Sequence, residues 1–221
     1  EERDRSSAEI LSQILPVIFE RNGFEKIYSD AWWYKLKAGT AVYGVIWQSL
    51  KNNGLGDIEI KQVDILNLFW EPGIKDIQKS KNIFHVELID NETLVAMYPE
   101  MNGKLGDSTV EIAKYVYDDN VDTKDKSAVI DRYYKKILNG VETVHYCKFC
   151  NGELLYASEN DPEYTERGFY DHGKYPYVFD ALFPIEGSPC GYGYVDICKN
   201  PQTEIDILKT SFVKNAMVGS I

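Results

Sequence analysis

Two Asn-Gly dipeptides, Asn139-Gly140 and Asn151-Gly152, constrain the fold of this chain more than any other feature. A two-residue hairpin loop of type I′ needs positive φ at both central positions, and Asn followed by Gly meets that need with little strain. The dipeptides are flanked by strand-like runs at Val129 to Leu138, Val141 to Cys150 and Glu153 to Tyr156. The pattern predicts a three-stranded antiparallel meander, and the turn geometry fixes its register. Ile130, Phe149 and Leu154 fall into one row, and Asp131 falls opposite Lys148, so an apolar row and an opposite-charge pair emerge from the turns alone.

Around this meander the periodicity alternates between helix and strand. Ile10, Leu11, Ile14, Val17 and Ile18 recur at helical spacing between Ser7 and Glu20, with Pro16 predicting a kink or an early stop. A second helix is expected from an N-cap at Ser29-Asp30 through Trp32-Trp33 to Gly39. Thr40 to Ser49 and Asp57 to Val63 read as a hairpin around Asn52-Asn53-Gly54. Leu66 to Trp70 is a short apolar run closed by Pro72-Gly73, Asn82 to Ile89 a strand, and Asn91 to Pro99 a short helix. Asn102 to Ser127, with Asp118, Asp119, Asp122 and Asp125, reads as a solvated loop or insertion. Tyr175 to Phe183 is an edge strand because Pro176 lacks a ladder donor. The last helix carries Ile205, Leu208, Phe212, Val213 and Ala216 on one stripe, and Asn200-Pro201 marks either its start or a kink. The fold class is therefore α+β, with mixed helices and antiparallel β-hairpins.

At 221 residues the chain is long enough to bury a sizeable core, and its aromatic share of 13% is that of a folded protein. No run of about 18 apolar residues occurs, so no membrane-spanning helix and no membrane partner is expected. The formal net charge of -11 opposes tight, sequence-independent nucleic-acid binding, which depends on Lys and Arg displacing counterions from phosphates. An acidic wall past which DNA slides is compatible with that charge. The missing initiator Met and the helical pattern still in progress at Val218-Gly219-Ser220-Ile221 suggest a piece of a longer protein.

Candidate chemistry is sparse. The four cysteines, with no secretion signal, read as reduced thiols. His145-Tyr146-Cys147-Lys148-Phe149-Cys150 contains half of a zinc-site spacing, but Cys147 and Cys150 sit three apart on a strand and so point to opposite faces. They remain the weak metal candidates, and core thiols are the favoured reading; no cofactor is expected. Asp171-His172 with Cys190 offers the residue types of a cysteine hydrolase without any local signature, and a surface histidine in a turn is favoured. Asp118-x-Asn120-x-Asp122 imitates a calcium loop but has Thr123 where Gly is needed and Val129 where Glu is needed. No phosphate-cradling Gly-Lys-Ser/Thr occurs. Trp32-Trp33 and Phe69-Trp70 are read as core in preference to a stacking platform. No catalytic residues are assigned and no enzyme is predicted.

Several segments resemble the portal proteins of tailed bacteriophages and prophages. They are Ala8 with Ile14-Leu15-Pro16 and Asn22-Gly23-Phe24; Gly39-Thr40-Ala41-Val42-Tyr43-Gly44 through Trp47; Gly56-Asp57-Ile58-Glu59-Ile60; Val63-Asp64; and Trp70-Glu71-Pro72-Gly73. At the far end, Gly173-Lys174-Tyr175-Pro176-Tyr177-Val178, the glycine corner Gly191-Tyr192-Gly193, and Gln202 to Asn215 resemble the family's approach to its long stem helix. The resemblance implies a head-to-tail connector subunit that assembles with itself into a ring, typically a dodecamer, serving DNA packaging and ejection. Its implied partners are the terminase large subunit, head-completion or neck proteins, and double-stranded DNA passing without sequence specificity. Its implied location is the virion, with assembly in the host cytoplasm. By the same resemblance 1–90 is a wing-like α+β region, 91–128 a short stem-like helix and acidic loop, 129–157 the clip-like meander, 158–192 a connection and edge strand, and 193–221 a truncated stem-like helix; the crown would lie beyond. Tyr133, Tyr134, Tyr146 and Phe149 mark the clip-like region, and Lys209 and Lys214 are the channel-facing candidates. The competing classes are a cysteine- or zinc-containing enzyme or metal-binding domain, and another phage tail structural module.

Overall fold

The computed structural model describes residues 2–49, 51–105 and 125–219. Along the chain the elements are α1 (Glu2–Arg21), α2 (Phe24–Ala38), β1 (Thr40–Gln48), β2 (Asp57–Val63), β3 (Leu68–Trp70), β4 (Asn82–Asp90) and α3 (Asn91–Met97). There follow β5 (Lys126–Leu138), β6 (Val141–Cys150), β7 (Glu153–Ala157), β8 (Tyr177–Ala181), β9 (Phe183–Pro184), β10 (Gly191–Tyr192) and α4 (Tyr194–Val218). They form an α+β fold with antiparallel sheets, arranged as two compact units: residues 1–63 with 177–221, and residues 64–176.

The second unit is built on a five-stranded sheet of order β3-β4-β5-β6-β7. Its meander has the register that the turns dictate: Ile130 pairs with Phe149, Phe149 with Leu154, and Asp131 with Lys148. Asn139, Gly140, Asn151 and Gly152 all have positive φ, as type I′ turns require. Past Phe149 the β6–β7 pairing shifts, because Lys148 pairs with Tyr156 and leaves Leu155 as an extra residue. Leu155 packs against the cluster of Leu94, Met101, Val129 and Cys150, so the bulge turns an apolar side chain toward the core. On this sheet Ile83, Val129 and Val144 are inaccessible to solvent, and Val129 is covered by Leu94 and Met101.

In the first unit a three-stranded sheet of order β2-β1-β8 carries α2 against β1. β1 is the central strand, and its first residues, Thr40, Ala41 and Val42, are buried. As expected, β8 sits at an edge, immediately after Pro176. Two prolines that the sequence offers as a boundary or a kink lie inside helices, and one helix start is displaced. α1 runs on through Pro16 to Arg21, because proline removes only its own donor and the residues after it keep theirs. α2 begins at Phe24 and not at Ser29-Asp30: the break is made by Gly23 in the left-handed region, whose carbonyl accepts the N–H of Lys26 at 3.0 Å. Ser29 and Asp30 are simply exposed positions within the helix. α4 is likewise continuous across Pro201 for 25 residues.

Gly39 and Gly193 fix where α4 starts. Gly39 ends α2 with φ 85 and gives its N–H to the Lys35 carbonyl, and a Cβ built on it would lie 2.2 Å from the Tyr192 carbonyl carbon. Gly193, the residue before α4, would place a Cβ 2.3 Å from the Lys37 carbonyl oxygen. Backbone meets backbone at this junction with no room for a side chain. Gly191 N–H donates to Thr40 Oγ1 at 2.8 Å and Gly193 N–H to the Asp196 carboxylate at 3.1 Å, which completes the corner.

Candidate functional site

The most unusual surface is α4. None of its residues is buried, and Tyr194, Val195, Ile197, Ile205, Ile207, Leu208, Phe212 and Met217 are all exposed, with Phe212 at 75%. A helix of 25 residues is about 37 Å long, and one that shows this much apolar surface is built to be covered. The expected stripe of Ile205, Leu208, Phe212 and Val213 is present but faces solvent in the isolated chain. Lys209 and Lys214 are both exposed. Five residues apart, they are separated by about 140° around the helix. Lys209 falls within the apolar stripe and Lys214 roughly opposite it.

The meander aromatics pack within the second unit. Tyr133 is buried, with its ring 4.9 Å from Tyr146 and 6.4 Å from Tyr170. Tyr146 continues the cluster to Phe169 at 5.0 Å and Tyr156 at 5.8 Å. Burial, reinforced by the Glu159 carboxylate that accepts a hydrogen bond from its hydroxyl, pushes the Tyr134 pKa far up. Tyr134 and Phe149 are half-buried. Tyr133 and Tyr146 thus belong to an aromatic cluster within the unit, and the exposed large apolar side chains of the meander are Ile137 and Val141, beside the first turn, and Leu154. Sequence reasoning weighted aromatics and overlooked the aliphatic residues at the hairpin tip, although their position next to Asn139-Gly140 was the available signal.

Cys147 and Cys150 are both buried free thiols. Strand alternation sends them to opposite faces, with Cys150 inside the cluster of Leu94, Met101 and Val129. Burial raises both thiol pKa values, as core thiols require. His145 is fully buried, its Nδ1 3.2 Å from Ser158 Oγ, which also accepts the Tyr146 N–H at 2.9 Å. Burial lowers the His145 pKa, so it is a neutral core imidazole. His172 is an exposed turn residue whose Nδ1 accepts the Lys174 N–H at 3.0 Å; Cys190 belongs to the other unit. The acidic segment containing Asp118, Asp119 and Asp122, with its calcium-loop imitation, lies outside the described residues.

The tryptophan pairs are not wholly core. Trp32 is half-buried, but Trp33 is 61% exposed under the Lys37 ammonium, because adjacent helix positions point about 100° apart. On the strand β3 adjacent side chains alternate faces, and Phe69 is exposed while Trp70 is half-buried.

A cluster that the sequence did not suggest joins β4 to β5. His85 pairs directly with Asp131, and Glu87 lies two residues along on the same face. One ligand atom from each of the three lies within 4.8 Å of the others. His85 Nδ1 is 3.7 Å from Asp131 Oδ2, while Asp131 Oδ1 accepts the Tyr146 hydroxyl at 2.6 Å and has Lys148 Nζ at 3.4 Å. Burial alone would raise the Asp131 pKa; His85, Lys148 and Tyr146 together outweigh it and hold the carboxyl ionised.

Among the described residues no helix is long and apolar enough to cross a membrane. No curated protein matches the chain. The profile of the family described as phage P22-like portal protein, in contrast, matches residues 1–214, almost the entire length. With an α+β fold, an uncovered long helix after a glycine corner, and a match of that extent, the chain belongs to the phage P22-like portal protein family.

Proposed function

We propose that this protein is a subunit of the head-to-tail connector, a closed ring that serves as the channel for DNA packaging and ejection. Portal proteins are structural components of the phage that self-associate into rings. The observation that carries the reading to this chain is α4, 25 residues long with no buried side chain. In a ring of identical subunits each such helix finds its cover on a neighbour, through the same contact repeated around an axis. The formal charge of -11 suits a wall that DNA passes without adhering.

In this reading the assembly is a dodecamer that meets the terminase large subunit and head-completion or neck proteins and passes double-stranded DNA without sequence specificity. It assembles in the host cytoplasm, resides in the virion and performs no catalysis. Residues 1–90 act as wing, 91–128 as a stem-side segment, and 129–157 as clip. Residues 158–192 connect back, and 193–221 form the stem-side helix. Within α4, Lys214 is better placed than Lys209 for luminal contact, since it lies away from the apolar stripe that neighbours would cover. Charge reversal of Lys214 is expected to change packaging rate or packaged DNA length; no change removes it from the channel wall.

The direct test replaces Leu208 and Phe212 by glutamate. Their exposures of 69% and 75% mean that the isolated fold loses nothing by the change, so unfolding should shift by no more than about 0.5 kcal/mol. Assembly, measured by native mass spectrometry, should be abolished. Intact assembly of L208E/F212E would remove α4 from the subunit interface.

A further inference from the structure

We propose that α1 of one copy of this chain packs against the apolar stripe of α4 on the next copy. The inference rests on the ring reading and supplies the half of the subunit contact that α4 does not. A ring is built from a heterologous interface, in which two different surfaces of the subunit meet; a surface that pairs with itself about a two-fold axis closes as a dimer and stops there. The stripe of Ile205, Leu208, Phe212 and Val213 therefore cannot be covered by the same stripe of a neighbour. The opposite side of α4 mixes Ile207 with Asp196, Thr203, Thr210 and Lys214 and makes no continuous apolar strip.

α1 is the other long uncovered helix of the same unit. It spans 20 residues, about 30 Å, and none of its described residues is buried. Ile10, Ile14 and Val17 recur at i, i+4 and i+7 with Leu11 beside them, so they share one face, and their exposures run from 43% to 57%. Toward the end of the helix lies a concavity lined by Pro16, Phe19 and Phe24, where the Phe19 and Phe24 rings stack at 4.7 Å. Such a hollow takes a large apolar knob, and the outstanding Phe212 of α4 is a side chain of that kind.

Charge selects the same pair of surfaces. Each copy carries a formal charge of -11, so two copies repel wherever their acidic surfaces meet. α1 has no charged residue from Ile10 to Phe19. α4 has no acidic residue from Ile207 to Val218, where Lys209 and Lys214 are the only charges. An uncharged helix face against a weakly basic one is a contact at which two acidic chains approach without repulsion, and the apolar area it covers supplies the attraction.

The test is a mixing experiment read by native mass spectrometry on the full chain, with wild type, L11E/I14E and L208E/F212E. Leu11 and Ile14 are open to solvent and glutamate is a better helix former than isoleucine, so L11E/I14E keeps its fold, which circular dichroism checks. Alone, each variant lacks one half of every subunit contact and is expected to be monomeric. Mixed in equal amounts, the two hold one intact pair between them: α1 from L208E/F212E and α4 from L11E/I14E. Both remaining ends are blocked, so the expected product is a one-to-one heterodimer and nothing larger. Rings formed by L11E/I14E alone, or a mixture that stays monomeric, would overturn the pairing and leave the ring reading standing. A wild-type chain that does not assemble would overturn both.

Discussion

Alanine at Gly193 tests how α4 is anchored. The added methyl group would lie 2.3 Å from the Lys37 carbonyl oxygen and 2.7 Å from the Gly39 nitrogen. Both are backbone atoms at the end of α2, so no rotamer change relieves the overlap and the chain itself must move. Overpacking of this kind costs about 1–3 kcal/mol, and a clash against backbone belongs at the upper end. The opposing effect is small. Gly193 has φ -112, which alanine tolerates, and replacing glycine at a tolerated position stabilises by about 0.4–1 kcal/mol through the unfolded chain. The net expectation is a loss of about 2 kcal/mol. With a urea dependence of about 1–3 kcal/mol per molar, the unfolding midpoint should fall by about 1 M. Tryptophan fluorescence is a suitable probe because Trp32, Trp33 and Trp47 all belong to the unit that contains this junction. An unchanged or raised midpoint in Gly193→Ala would show that the approach of the two backbones is not tight, and the account of how α4 is aimed would fail.

Other expectations follow from side-chain environments. Glu59 accepts from Lys51 Nζ at 2.8 Å and Gln48 Nε2 at 3.0 Å, and the Lys51 contact is the main cause of its lowered pKa. A carboxyl whose folded pKa lies below its unfolded value stabilises above the unfolded value, near pH 4.3, and loses that contribution as pH falls through the folded value. Glu59→Gln should therefore lose about 0.5–1 kcal/mol at pH 7 in urea titrations, and the difference should vanish in acid; a difference that persists there would point to packing. Thiol labelling under native conditions should modify Cys198, which is exposed, well before Cys147 and Cys150, which are buried; equal rates would contradict the core assignment. Gly140→Ala forces a side chain onto φ 80 and should destabilise the five-stranded sheet by about 1–2 kcal/mol in the same urea assay, and no loss would argue against a type I′ turn.

The meander was the most legible part of the molecule, because Asn-Gly turns convert sequence position directly into cross-strand pairing. The bulge at Leu155 was not legible: nothing local distinguishes an extra residue whose reward is a tertiary contact with Leu94 and Met101. Pro16 and Pro201 lie inside helices, so of the alternatives offered the early stop at Pro16 and the start at Asn200-Pro201 are excluded, since a single lost donor leaves the remaining helical bonds intact. The familiar Ser29-Asp30 cap signal competes with Gly23, whose left-handed backbone makes the actual start of α2. The portal resemblance rested on glycine corners such as Gly191-Tyr192-Gly193, whose physical reason, the contact with Lys37 and Gly39, is visible only in three dimensions. His85, Glu87 and Asp131 were invisible because forty-odd residues separate β4 from β5 in the chain while the ladder sets them side by side.

Negative-stain electron microscopy of the full-length protein tests the connector reading most directly. The account predicts closed rings with a central opening wide enough for duplex DNA. A monodisperse monomer across a concentration series would contradict it.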